Sequence, residues 1–347
     1  FSDASGKIIL PEIKDGWYKV TELEPASGYA IKEAATQECF ISGGESKVLT
    51  FENTPLSAII IRKVDSESGQ PLEGAWFRIR YLGGTSGTGG TVIGEYRTSS
   101  NGTIVVTGLK AGTYVCEEIS APDGYVITDA AETVYLSGKD QDVITVTFGN
   151  DKMGSLLIVK KDAVTGAPIS DVEFLVTDSD GNLIGNANGK FVTDSAGTFT
   201  ITDIAPGTTL VIKETRAKAG YILDDTPQTV KVKSNEVVTV EFRNQPKGNL
   251  IIVKQDSVTK EPLEGVEFKI VYADGSYVDA AGGTLSSTGL YRTDKAGKIS
   301  ISGISGTIVA TEVQTIPGYA IDENTRTQTV VVNPNDTQTL HFVRFVP

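Results

Sequence analysis

The chain reads as all-β, a series of tandem antiparallel β-sandwiches laid end to end as a rod. Three observations predict this. Closely similar stretches recur at a period of roughly 95 residues, the size of a small domain. Thr and Val are abundant, a single methionine occurs, and no segment sustains helical periodicity, which favours β-branched residues on pleated surfaces. Short alternating runs are broken by turn signals such as Asn101-Gly102, Asp180-Gly181-Asn182 and Pro206-Gly207. About seven short strands per repeat follow from that spacing.

Each repeat opens on a strand that carries a lysine. The segments AIIIRKVDSESGQPLEGAWFRI from Ala58, LLIVKKDAVTGAPISDVEFLV from Leu156 and LIIVKQDSVTKEPLEGVEFKI from Leu250 align on Lys63, Lys160 and Lys254. Later in the repeat comes a glutamate seven residues before the tyrosine of a Gly-Tyr pair. It occurs as Glu22 with Tyr29, Glu118 with Tyr125, Glu214 with Tyr221 and Glu312 with Tyr319. A closing Phe-x-Asn ends the unit at Asn53, Asn150 and Asn244, whereas the last copy reads Phe342-Val343-Arg344. The markers divide the chain into the C-terminal part of one repeat, 1–56, and three full repeats, 57–153, 154–247 and 248–347. The first segment lacks a lysine-bearing strand, and the last repeat lacks the acceptor asparagine. Junctions such as Asn53-Thr54-Pro55-Leu56 and Gln245-Pro246-Lys247-Gly248 are short and contain proline, so the repeats are expected to form a semi-rigid rod. At roughly 35 Å per repeat it measures on the order of 100 Å.

Alternation places the three marked polar residues on the wrong face. Side chains two apart in a strand share a face, and the apolar row marks the core. Ile59 and Ile61 lead to Lys63, and Leu156 and Ile158 lead to Lys160. Tyr114 and Cys116 lead to Glu118, and Leu210 and Ile212 lead to Glu214. Val146 and Phe148 lead to Asn150, and Val240 and Phe242 lead to Asn244. Lysine, glutamate and asparagine therefore point inward from three strands of one repeat, where an unpaired ammonium is costly.

In these residues the chain resembles the Cna-B-type (SpaA-like, prealbumin-like) repeats of Gram-positive surface adhesins and pilins. The resemblance rests on the Lys-x-Asp first strand (Lys160 with Asp162), the ETRAKAGY-type glutamate box and the closing Phe-x-Asn, and covers nearly the whole chain. It implies an Ig-like or prealbumin-like sandwich in which the lysine and asparagine condense into an isopeptide bond with the glutamate as catalyst. The implied pairs are Lys63–Asn150 with Glu118 and Lys160–Asn244 with Glu214. Elementary chemistry agrees. Burial disfavours charge, a neutral amine is a nucleophile, and a carboxyl group beside the amide polarises its carbonyl and shuttles protons. The alternative is an ordinary buried ion pair with asparagine as a hydrogen-bond partner. Glu22 and Asn53, and Lys254 and Glu312, form incomplete sets. For residues 1–56 the readings are a truncated repeat or one completed by a strand of another chain.

The expected function is a structural, load-carrying stalk or fibre shaft of an adhesin or pilus, outside a Gram-positive cell and anchored to its wall or held in a fibre. Its partners are then neighbouring repeats, a second chain at residues 1–56, or a host extracellular ligand. The alternative function is a host-ligand-binding adhesin module that uses the inserted loops Leu82–Val92 and Ala280–Leu290, since surface loops carry recognition. A formal charge of −13 with no Lys/Arg cluster argues against nucleic acid or an anionic membrane as partner. Two cysteines, Cys39 and Cys116, fall in different repeats and read as small buried thiols, not a disulfide framework. No apolar run is long enough to span a membrane. The chain starts without Met or a signal-peptide apolar region and reads as a mature or excised segment whose targeting signals lie outside it.

No cofactor and no metal is expected, and the only enzymatic step is a single-turnover reaction of the chain on itself. The sole histidine, His341, lies on the outward row of the last strand with no nucleophile beside it. Asp178, Asp180 and Asn182 open like a calcium loop, but Gly189 stands where the closing glutamate belongs, so a turn is expected. The Gly83–Gly90 run has no strand-to-helix context and reads as a flexible loop, not a phosphate cradle.

Overall fold

The computed structural model describes residues 1–31, 35–83, 89–139, 141–185 and 188–344, with the backbone alone at 344. Among them every helix-or-strand element is a strand, as the β-branched composition predicts. The chain falls into two compact units, Phe1–Lys152 and Met153–Pro347.

In the first unit, residues 57–152 form two four-stranded sheets. One runs in the order Tyr125–Ile127, Val143–Lys152, Ser57–Asp65, Thr103–Leu109. The other runs Ala131–Leu136, Gly112–Ser120, Trp76–Gly83, Thr91–Arg97. Strand Ser57–Asp65 shows why the sequence folds this way: its alternate residues Ser57, Ile59, Ile61, Lys63 and Asp65 are buried and those between are more exposed. The inward rows of both sheets meet in one core that includes Ile59, Phe77, Ile104, Tyr114, Cys116 and Phe148. Each fully buried side chain of this size contributes about 1.5–3 kcal/mol.

Residues 1–56 hold two two-stranded pieces, Gly16–Thr21 with Thr36–Ile41 and Tyr29–Ile31 with Asn53–Pro55.

The second unit holds two more sandwiches. In residues 154–246 the sheets run Thr198–Ile204, Gly154–Asp162, Val237–Asn244 and Lys190–Val192, Glu173–Asp178, Thr209–Arg216, Gln228–Lys231. In residues 248–344 they run Gly282–Gly283, Lys298–Ile304, Gly248–Asp256, Thr337–Arg344 and Leu290–Arg292, Glu267–Tyr272, Gly306–Gln314, Thr327–Val332. The two sandwiches are joined by backbone bonds from Lys247 N to Gly220 O at 2.8 Å and from Asn335 N to Pro246 O at 2.9 Å.

One pairing departs from the antiparallel expectation. First and last strands run parallel in all three sandwiches, pairing Phe148 with Lys63, Phe242 with Lys160 and Phe342 with Lys254. Parallel neighbours need a long crossover, and here the rest of the repeat supplies it.

Candidate functional site

The three inward polar residues meet at the end of each complete core. In residues 57–152, Lys63 and Asn150 are wholly buried and Glu118 is 3 % exposed. Lys63 Nζ donates to Glu118 Oε2 at 2.8 Å and to the Gly149 carbonyl at 2.9 Å. Asn150 Nδ2 donates to Glu118 Oε1 at 2.7 Å. In residues 154–246 the set closes further. Lys160 Nζ donates to Glu214 Oε2 at 2.7 Å and to Asn244 Oδ1 at 2.5 Å, and Asn244 Nδ2 donates to Glu214 Oε1 at 2.6 Å. Each glutamate thus bridges amine and amide with its two oxygens. The sequence reading set the carboxyl group against the amide carbonyl. It lies instead against the amide nitrogen in both repeats; Asn244 Oδ1 is turned to Lys160 Nζ, whereas Asn150 Oδ1 is buried with no hydrogen-bond partner.

Backbone features fix the lysine. Lys63 N donates to Gly102 O at 2.7 Å, Lys160 N to Gly197 O at 2.7 Å and Lys254 N to Gly297 O at 2.8 Å. Gly102 and Gly197 sit at φ +71, and a Cβ on either would come within 2.6 Å of the lysine carbonyl, so glycine is required there. An edge-to-face aromatic pair, Phe77–Phe148 at 4.8 Å and Phe174–Phe242 at 4.9 Å, packs at the site. Lys160 Nζ lies 5.9 and 5.8 Å from the Phe174 and Phe242 ring centres. Burial pushes the Lys63 and Lys160 ammonium groups below their ordinary pKa, opposed by the hydrogen bond and charge of Glu118 and Glu214.

A second linkage was not read from the sequence. The aspartate two residues after each lysine caps the following turn and accepts from the tyrosine of the Gly-Tyr pair. Ser68 N and Glu67 N donate to Asp65 Oδ1 at 2.7 and 3.0 Å, and Tyr125 Oη donates to Asp65 Oδ2 at 3.0 Å. Tyr221 Oη reaches Asp162 Oδ2 at 2.9 Å, and Tyr319 bonds Asp256. The signal was available, since Lys-x-Asp and Gly-Tyr recur together in all three full repeats.

The last repeat keeps the ion pair: Lys254 Nζ lies 3.1 Å from Glu312 Oε2, both side chains wholly buried. Arg344 pairs with Asp256 in the register where Asn150 pairs with Asp65 and Asn244 with Asp162. In residues 1–56 Asn53 Nδ2 donates to Glu22 Oε1 at 2.8 Å. His341 is exposed on the last strand, as its position in the alternation predicts. Asp178 Oδ1 accepts from Asp180 N and Asn182 N at 2.9 and 2.8 Å, making the expected turn. Of the inserted loops, Ala280–Leu290 is described and contributes the short strand Gly282–Gly283. Residues 84–88 of Leu82–Val92, and of the Gly83–Gly90 run, lie outside the described residues.

The family model for the SpaA prealbumin-like fold domain matches three times, at residues 57–152, 154–246 and 248–344. A search of curated proteins finds no match. Among solved structures, the Bacillus anthracis TIE protein aligns at 22 % identity and TM-score 0.35, over 89 % of this chain and 54 % of its own length, so the chain spans about half of that protein. The shaft pilin SpaA of Lactobacillus rhamnosus GG aligns at 19 % identity and TM-score 0.36, over 56 % of this chain and 98 % of its own. BcpA, the major pilin subunit of Bacillus cereus, aligns at 16 % identity and TM-score 0.32, over 84 % of this chain and 100 % of its own.

Proposed function

We propose that this chain, which belongs to the SpaA prealbumin-like fold domain family, is a tension-carrying part of an extracellular stalk or fibre. In this reading its second and third repeats are closed by Lys–Asn isopeptide bonds that they form themselves. The observation that carries the reading is the closed, wholly buried contact of amine, carboxylate and amide, with Lys160 Nζ 2.5 Å from Asn244 Oδ1 and Glu214 bonded to both. An ion pair alone requires no third polar side chain on a third strand.

The chemistry follows from those contacts. Glu214 Oε2 takes a proton from Lys160 Nζ, and burial favours the neutral amine. The amine attacks Asn244 Cγ, held beside it by the fold so that the step is effectively unimolecular. Glu214 Oε1, already against Nδ2, delivers one proton to the departing nitrogen, which leaves as ammonia while the Nζ–Cγ bond remains; the second proton that Nζ sheds in becoming an amide stays on Glu214. Lys63, Glu118 and Asn150 follow the same course. Arg344 offers no acyl carbon, so the last repeat stays uncrosslinked in this register. The bond joins the first and last strands, so tension passes between them through covalent bonds rather than through the ladder. That fits the resemblance to repeats of Gram-positive adhesins and pilins.

Intact mass tests the chemistry. Each bond expels one ammonia, so the chain is expected to weigh about 34 Da less than its sequence, and Glu118→Ala and Glu214→Ala each to restore about 17 Da. A mass equal to that of the sequence refutes the cross-links. Single-molecule stretching tests the mechanics. Lys160 and Asn244 lie 84 residues apart, so Glu214→Ala is expected to release about 300 Å of extra contour length at about 3.5 Å per residue.

A further inference from the structure

Residues 154–246 and 248–344 meet through a connection in which every residue is held. Between strands Val237–Asn244 and Gly248–Asp256 stand only Gln245, Pro246 and Lys247. Gln245 O accepts from Ile222 N at 2.9 Å, Pro246 O accepts from Asn335 N at 2.9 Å, and Lys247 N donates to Gly220 O at 2.8 Å. The first and last of these bonds reach back to the Gly220 turn of one repeat, and the second reaches forward into the next. Repeats on a free linker swing against each other by default. A linker whose backbone groups are taken up on both sides has little freedom left.

Side chains extend the hold. Segment 273–289 is longer than its counterpart 179–189 and runs along strand Lys298–Ile304. Gly282 pairs with Ser302 and Gly283 with Ile301, and Ala281 N donates to Ser302 O at 2.9 Å. Val278, buried in the core of its repeat, anchors the segment. Asp279 takes Lys247 Nζ on Oδ2 at 2.9 Å and the Tyr272 hydroxyl on Oδ1. Ala281 then stands against the Gly220 turn. A Cβ on Gly220 would lie 3.2 Å from the Ala281 Cβ, and one on Gly303 would overlap that Cβ and come within 3.0 Å of Gly220 Cα. Backbones approach this closely only where both residues lack a side chain. In the preceding repeat Asp203 occupies the place of Gly303, at φ +59 beside +72. The repeat fold itself therefore does not demand glycine there; the contact with Gly220 and Ala281 does.

We propose that segment 273–289 is a brace. It docks on the Gly220 turn and the Lys247 connection and holds residues 154–246 and 248–344 in one fixed orientation. Its partner is the neighbouring repeat of the same chain, met through Asp279, Ala281 and Gly303. The brace seats on the turn that also presents Tyr221 to Asp162, so the last repeat takes its orientation from the end of the preceding core where Lys160 lies. A fixed joint carries bending as well as pull, whereas a free linker carries pull alone.

Spin labels carried on unnatural amino acids at Val192 and Val331, exposed strand residues of the two repeats, test the joint in the full chain through the distribution of distances between them. One narrow peak is expected. Gly303→Asp drives a side chain into the seat of Gly220 and Ala281, yet uses the residue that Asp203 shows the backbone to accept. The repeat should fold and the narrow peak should be lost. Asp279→Ala removes the Lys247 bond and leaves Gly303 untouched. It should broaden the peak too, and it gives a second reading if the first variant does not fold. A parent chain with a broad or multiple distribution overturns the proposal. So does a folded variant of either kind that keeps the parent's peak, the result expected of a segment that serves an outside ligand alone. Intact mass of the same samples reports the ammonia deficit separately, so the joint and the cross-links stand or fall independently.

Discussion

Asn244→Ala separates the proposed cross-link from the ion pair around it. The substitution removes the acyl carbon but leaves Lys160 and Glu214 in contact at 2.7 Å, so no buried charge is stranded. What is lost is mainly the tie across 84 residues. By the chain-entropy relation for a covalent closure of that length, the tie is worth about 4–5 kcal/mol, and the lost amide hydrogen bonds add about 1 kcal/mol. For a repeat of this size the sum corresponds to a fall in Tm of roughly 20–40 °C. Calorimetry of the full chain, paired with intact mass, reads both effects: the deficit from the sequence mass falls from two ammonias to one, and one transition moves down while the others stay. A variant whose mass still shows the full deficit removes Asn244 as acceptor. A variant whose deficit falls to one ammonia but whose stability stays within about 1 kcal/mol of the parent refutes the claim that the bond stabilises the repeat.

Three further outcomes are expected. Arg344→Asn places an amide in the register that Asn244 occupies, opposite Asp256 and beside the Lys254–Glu312 pair, so intact mass should show a third ammonia lost. In Asn244→Ala the Lys160 ammonium remains titratable, with a folded pKa held below the unfolded 10.5 by burial. Below the folded pKa both states are protonated and the full penalty stands. Between the two values the unfolded state binds more protons, so stability rises with pH and the penalty is gone above 10.5. Urea melts from neutral pH to pH 10 should therefore show a gain for the variant over the parent, whose Lys160 nitrogen is an amide under the proposed cross-link. Tyr221→Phe removes the bond to Asp162, a loss of about 1.5–3 kcal/mol for a charged acceptor. The mass deficit should persist while Tm falls, which separates the tyrosine–aspartate clamp from the bond-forming groups.

Much of this was legible because a strand reports the face of each residue directly. Lys63, Glu118 and Asn150 continue apolar rows at two-residue spacing, and they are buried together. Alternation says nothing about which strand lies alongside which, so the parallel pairing of first and last strands was missed. The orientation of the Asn244 amide is not reported by alternation either and was missed too. The Asp162–Tyr221 bond escaped for a related reason. Both residues belong to recognised motifs, but each motif was weighed for the reaction alone, and a residue that shapes the turn after the lysine carries no mark of acid–base chemistry. Residues 1–56 show the reverse case. Ile8 and Leu10 alternate like residues of a buried strand yet lie exposed and in no strand, because burial depends on a neighbouring strand and not on the pattern alone.

The parallel pairing also bears on the proposed role, because it decides what a bond at this place would do under tension. Force enters a repeat at the start of its first strand and leaves at the end of its last. Because those strands are parallel neighbours, pulling shears their ladder along its length. Lys63 lies near the end of Ser57–Asp65, and Asn150 near the end of Val143–Lys152. A bond between them leaves only the run from Ser57 to Lys63 and the few residues after Asn150 in the path of the force. Every residue between Lys63 and Asn150 then hangs outside that path. The last repeat, with Arg344 at the acceptor position, has only its ladder to resist the same shear. On the proposed bonding, it should unfold first under rising force, while the two repeats before it hold their length.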